Sequence, residues 1–215
     1  AGDNLQSDNA YFRFEIDTHP PAAPTLTVTR SQNAGAPDIV TDTDVTLSGD
    51  AESGATVRIW TSEEPSFVPD VNVENVVAGS TWTATITIPQ GKIVKISVSA
   101  VDIAGNESDK RLYGYLMADA TAPVVNITSP VADLTTDKPS IRVEGTITKD
   151  AWEDYTDITV RLEVVGRVAP TTIAPDAQGR FMAEVSLSEG GNTILVTAVD
   201  TVGNSGSDQV TVTRS

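Results

Sequence analysis

The pattern of Ala100-Val-Asp-Ile-Ala-Gly-Asn-Glu-Ser-Asp109 occurs twice in this chain. The second copy, Ala198-Val-Asp-Thr-Val-Gly-Asn-Ser-Gly-Ser207, follows roughly one hundred residues later, and a period of that size is one small domain per repeat. Each copy closes an alternating apolar run, Ile96, Val98 and Ala100 in one and Ile194, Val196 and Ala198 in the other. Such alternation reads as a half-buried strand, and Gly-Asn after it reads as a tight turn. The phrase therefore marks the last hairpin of a repeated domain. Ala1-Gly-Asp-Asn-Leu-Gln-Ser-Asp8 resembles its tail end a third time, so the chain is expected to enter inside one repeat and to run through two more.

Outward from these hairpins, both repeats follow one plan. In the first, Leu26 and Val28, Val45 to Gly49, Val57 to Trp60, Val71 to Val77, Trp82 to Ile88, Ile96 to Ala100 and Leu112 to Met117 read as strands. In the second, Val125 and Ile127, Ile141 to Gly145, Ile158 to Val164, Phe181 to Leu187, Ile194 to Ala198 and Val210 to Val212 match them, with Phe181 in the place of Trp82. No stretch has helical spacing, and valine and threonine dominate, as β-structure favours. The expected fold is all-β: two tandem antiparallel β-sandwiches of seven strands each, joined by a short Pro-containing linker. Tyr11 to Asp17 alternates as well, with Phe12, Phe14 and Ile16 on one face, and is expected to be the last strand of a preceding, truncated domain that covers its apolar face on a neighbour's edge. The domains are then 1–17, 18–118 and 119–215. Asp17-Thr-His-Pro-Pro and Asp119-Ala-Thr-Ala-Pro are equivalent linkers, setting Asp17 against Asp119 and Pro21 against Pro123. Proline stiffens such segments.

Bulk properties exclude several functions. A net charge of −16 leaves no basic face for nucleic acid but suits a divalent cation as partner. There is no cysteine, hence neither disulfide nor thiolate metal site, which is compatible with a surface protein. No apolar run is long enough to span a membrane, and any targeting segment or anchor is expected outside this stretch. The single histidine, His19, lies in a linker, so no serine or threonine has an imidazole to activate it. These features predict a non-enzymatic protein.

The residues also resemble a known group. Gly49-Asp-Ala-Glu-Ser-Gly-Ala-Thr-Val57 and the Ala-Val-Asp-x-x-Gly-Asn phrase are similar to the turns of bacterial immunoglobulin-like domains, which are strung along cell-surface adhesins and surface-layer proteins. Thr121 to Pro130, Gly179-Arg-Phe181 and Glu189-Gly-Gly-Asn-Thr-Ile194 also resemble domain B of glucodextranase-type enzymes. The resemblance implies an extracellular or cell-surface spacer, an adhesin stalk whose partners are neighbouring repeats of the same chain. The alternative it implies is an accessory carbohydrate-binding module of a polysaccharide-active enzyme. For that role Trp60, Trp152 and Tyr155 are the candidate aromatic platform.

In a sandwich of this type, the turn after the second strand, the last hairpin turn and the incoming linker meet at one pole. That predicts a gathering of Asp17, Asp50, Glu52 and Asp102, with Asn106 nearby, in the first repeat. In the second it predicts Asp119, Asp150, Asp154, Asp157 and Asp200, the loop Lys149–Asp157 being longer than its counterpart. Converging carboxylates repel unless hydrogen-bonded or neutralised, and Ca²⁺, taking six to eight oxygens, is the candidate cofactor that fits them, at one or both junctions. For Asp102 and Asp200 the first reading is structural, as acceptors that pin their own turns, with a calcium ligand as the alternative.

Overall fold

The computed structural model describes residues 15–28, 37–63, 71–77, 79–166 and 170–215. Among them there is no α-helix; one 3₁₀ turn, Tyr155–Asp157, interrupts an all-β chain.

Two sandwiches repeat one topology. In the first, β1 (Thr27–Val28), β3 (Asp44–Asp50) and β6 (Thr81–Thr87) form a three-stranded sheet in the order β1-β3-β6. Facing it are β2 (Asp38–Val40), β4 (Thr56–Glu63), β5 (Val71–Val77), β7 (Ile93–Val101) and β8 (Arg111–Ala118), in the order β2-β8-β7-β4-β5. In the second, β9 (Val124–Ser129), β11 (Ser140–Thr148) and β14 (Arg180–Ser186) form the small sheet. The large one comprises β10 (Leu134–Thr136), β12 (Thr159–Val164), β13 (Thr171–Ile173), β15 (Gly190–Val199) and β16 (Ser205–Arg214), in the order β10-β16-β15-β12-β13. The immunoglobulin-like plan stands, with an eighth strand in each sandwich. After β1 and β9 the chain crosses to the opposite sheet and adds β2 and β10, which pair parallel to β8 and β16. These three-residue strands are too short to show a period, and β13 was equally hidden.

Alternation delivers the core as read. Along β6 the burial alternates strictly, placing Trp82, Ala84 and Ile86 inside and the threonines outside. Leu47, Ile59, Ile96 and Leu116 fill the first core, and Val143, Ile147, Val160 and Ile194 the second. Each such side chain contributes about 1.5–3 kcal/mol by leaving water. Register repeats too: Val57 faces Ala100 and Ile59 faces Val98, as Val160 faces Ala198 and Leu162 faces Val196.

The large aromatic at the head of the core strand has a required mate. Gly49 pairs with Trp82 and Gly145 with Phe181. A methyl group at Gly145 would run into the Phe181 ring and the Asn126 carbonyl, and one at Gly49 into the Thr25 carbonyl. Glycine here lets an aromatic ring and a neighbouring backbone approach at once.

The expected strand at 11–17 lies outside the described residues through Phe14; Glu15, Ile16 and Asp17 form no strand, and Ile16 is exposed.

Candidate metal centre at the domain joint

The repeated hairpin explains both linkers. In the second domain, one Asp200 carboxylate oxygen accepts from the backbone N–H groups of Val202, Gly203 and Asn204 at 2.9, 2.7 and 2.9 Å. The other accepts from Asn204 Nδ2 at 2.8 Å. Gly203 takes the positive φ of 99° that the turn requires. In the first domain Asp102 accepts from the Asn106 N–H at 2.8 Å and from Asn106 Nδ2 at 2.9 Å. The Asn106 side-chain bond, helped by turn amides, holds the Asp102 carboxyl below its usual range. Both aspartates therefore pin their turns. The same asparagines reach the incoming linkers: Asn106 Nδ2 donates to the Asp17 carbonyl at 3.1 Å and Asn204 Nδ2 to the Asp119 carbonyl at 2.8 Å. The sequence echo of Asp17 with Asp119 is thus a geometric one, and Pro21 and Pro123 are both buried behind it.

Beyond this pin the two poles differ. Asp17, Asp50 and Glu52 are exposed. Asp50 is tied to Thr25, whose Oγ1 accepts from the Asp50 N–H at 2.7 Å. Among the described residues, the one group of three or more acidic or imidazole side chains close enough to share an ion is in the second domain. There, carboxylate oxygens of Asp119, Glu153 and Asp200 lie within 4.8 Å of one another. Asp119 is only 2% exposed and Asp200 6%. Three elements converge on this point: the linker, the β11–β12 loop and the β15–β16 turn.

Of the residues expected at this pole, Asp119 and Asp200 are in the group and Asp150 borders it. Asp154 instead caps the 3₁₀ turn, accepting from the N–H and hydroxyl of Thr156 at 2.9 Å each. Asp157 is exposed. Glu153 was not anticipated. A tight turn, with the Glu153 N–H donating to the Asp150 carbonyl at 3.3 Å, folds it back beside Asp150. The Asp150 N–H then donates to one Glu153 oxygen at 2.9 Å, while the other, Oε1, is buried with no donor.

Gln90, on the corner before β7 of the first domain, also escaped notice. Its Nε2 lies 3.0 Å from Thr121 Oγ1, and 3.4 Å from both an Asp119 and an Asp150 oxygen. Its Oε1 accepts from the Ala120 N–H at 2.9 Å. A single amide of one domain thus grips the linker and the acidic group of the next.

Burial and like charge outweigh the hydrogen bonds that the Asp119 and Glu153 carboxyls accept. Burial pushes the Asp119 carboxyl up, and the charges of Asp200 and Asp150 push it further. Glu153 is raised for the same reasons, burial first and then Asp119, Asp200 and Asp150. Lys149 does not neutralise them; its ammonium donates to the carbonyls of Asp150, at 3.1 Å, and Glu153, and lies 4.9 Å from the Tyr155 ring centre. The three carboxylates, one of which keeps an oxygen without a donor, have the oxygen donor set of a hard cation.

The candidate aromatic platform is dispersed. Trp60 donates its Nε1–H to Ser99 Oγ at 3.1 Å and carries Lys110 Nζ 3.5 Å from its ring centre. Tyr155 lies against Gly179 and Trp152 against Gly91 of the other domain. The three rings belong to three separate contacts.

Residues 123–215 match the family described as glucodextranase, domain B. Bacillopeptidase F of Bacillus subtilis (strain 168) is 25% identical over 179 residues, which is 80% of this chain and 11% of that protein. The chain thus spans about a tenth of that relative's length. Among solved structures, the fibronectin(III)-like modules of Clostridium thermocellum CbhA share 16% identity at a TM-score of 0.48, covering 88% of this chain and 94% of that one. A 1.5-MDa bacterial ice-binding adhesin, in a structure concerned with host cell surface retention, shares 17% identity at a TM-score of 0.37, over 90% of this chain and 66% of that one.

Proposed function

We propose that this chain is a non-enzymatic spacer within a larger bacterial protein, secreted or surface-anchored, forming part of an adhesin stalk. Its joint is set by a Ca²⁺ ion held by Asp119, Glu153 and Asp200, with Asp150 beside them. The observation that carries the reading is the carboxylate trio where linker, loop and turn meet, two of its members buried and one Glu153 oxygen lacking any donor. Such a group is costly in a folded protein unless something positive compensates it. Ca²⁺ fits better than Mg²⁺ because the oxygens come from three separate segments, an irregular cage that a flexible coordination sphere tolerates.

A spacer role also accords with the repeated Asn-to-linker pin, which fixes how the chain enters each domain. It accords with a match covering so small a share of a longer relative. His19, the single histidine, is exposed on a linker, its ring nitrogen 3.9 Å from Asp17. Thermal melts with calcium and with chelator test the proposal: calcium must raise the melting temperature of the second domain. Unchanged melts at millimolar calcium would sink it. The family match of residues 123–215 favours a second reading, an accessory module of a polysaccharide-active enzyme. Binding on a glycan array that is lost in a Trp152→Ala variant would select it.

A further inference from the structure

Trp152 stands between Asp150 and Glu153 on the β11–β12 loop, yet its ring lies on the first domain. A methyl group placed at Gly91 would collide with Cζ3, Cη2 and Cε3 of that ring. Gly91 follows Gln90, and its backbone has a φ of 64°, a conformation that side chains rarely adopt. The seat is therefore flat for two reasons, the missing Cβ and the turn that glycine permits. The Gly91 N–H donates to the Ala118 carbonyl at 2.8 Å, which ties the seat to the last residue before the linker. The same corner presents the Gln90 amide to Asp119 and Asp150.

Loop, linker and corner thus form one closed circuit. The loop carries two acidic side chains inward and, between them, an indole outward across the domain boundary. A movement of the loop backbone that withdraws Glu153 from the acidic group would also shift Trp152 relative to Gly91. The first domain's own β3–β4 loop, Ala51-Glu-Ser-Gly-Ala55, has no aromatic residue to play this part.

We propose that Trp152 and Gly91 are an interdomain latch, closed by a cation binding at Asp119, Glu153 and Asp200. The inference rests on the calcium reading above. It adds that the cation acts through one indole, and that the latch joins this pair of modules specifically. Without the ion, repulsion among the carboxylates lets the loop open and the indole leave its seat. With the ion, the loop is drawn onto the linker and the ring is pressed to Gly91. Trp152 is a positioning residue here and supplies no ligand.

The chain has no cysteine, so exposed Thr85 of β6 and Ser186 of β14 can be replaced (Thr85→Cys, Ser186→Cys) and spin-labelled selectively. Pulsed electron resonance then reads the distance between domains, and calorimetry on the same samples reads calcium binding. The expected result is a narrow distance peak with calcium that broadens in chelator. Trp152→Ala should lose the narrow peak while still binding calcium with one site, and Trp152→Phe should restore it. Gly91→Ala should broaden it as well, with the melting transition of the first domain checking that its fold persists.

If Trp152→Ala binds calcium and keeps the narrow peak, the latch is overturned and the metal site stands. If the parent protein binds calcium without any change in the distance distribution, the coupling is overturned. If calcium does not bind, the latch and the site reading fall together.

Discussion

Replacing Glu153 with glutamine separates the cost of the acidic group from its use. The carboxylate oxygens of Asp119, Glu153 and Asp200 lie within 4.8 Å of one another. At that separation each ionised pair repels by at least about 3 kcal/mol for an effective dielectric near 20. The burial of Asp119 and Asp200 limits relief by water. Part of the repulsion is already avoided, because the raised carboxyls of Asp119 and Glu153 hold protons more readily than free ones do. The net gain in chelator from Glu153→Gln should therefore be about 1–3 kcal/mol. The glutamine oxygen still accepts from the Asp150 N–H, as Glu153 does at 2.9 Å, and its amide hydrogens are free to face the remaining carboxylates. For a domain of this size the melting temperature of the second domain should rise by at least about 4 °C in chelator. Calcium at one hundred times its Kd should stabilise the parent protein by about 2.7 kcal/mol and the variant far less. Differential scanning calorimetry with and without calcium reads both effects. A variant that melts lower in chelator and responds to calcium like its parent would refute the electrostatic argument.

Three further outcomes follow from the same geometry. In chelator, the Asp119 and Glu153 carboxyls, raised from ordinary values of 3.8 and 4.5, contribute stability below those values that is lost as pH rises through their folded ones. Relative to Glu153→Gln, the parent's melting temperature should accordingly fall with rising pH across that window, and the increment added by calcium should grow; circular dichroism melts of both proteins at several pH values check the sign. Gly145→Ala, which drives a methyl into the Phe181 ring and the Asn126 carbonyl, should cost about 1–3 kcal/mol in the second domain's transition in urea and leave the first domain's in place. Asn204→Ala removes the bonds to Asp200 and to the Asp119 carbonyl; hydrogen exchange should show lost protection at 200–204, and calcium should bind more weakly, whereas Asn106→Ala should leave calcium binding unchanged.

The fold was legible because β-sandwich cores are written in strict alternation. Runs such as Trp82 to Ile88 and Ile194 to Ala198 fall on buried positions as read. The parallel strands β2 and β10 were not legible, since three residues paired along an edge leave no periodic trace. Of the candidate site, the repeated phrase located the turn aspartates and the linker echo located Asp17 and Asp119. The sequence places acids at both poles, and the structure brings three of them together at the second. The difference lies in loop length: Lys149–Asp157 reaches over the linker and returns Glu153 to the group, while the short turn after Asp50 leaves its acids in solvent. Gln90 and Gly91 were silent because their partners belong to the next domain, and a contact across domains has no local signature.

One cation is expected where linker, loop and turn converge. Isothermal titration of the chelator-treated chain with CaCl₂ near neutral pH tests it directly. The expected result is one site per chain, with a Kd no weaker than the roughly 10⁻⁴–10⁻³ M of extracellular modules, abolished by Asp200→Asn or Glu153→Gln and untouched by Asp17→Asn. Two equivalent sites, or no binding at millimolar calcium, would contradict it.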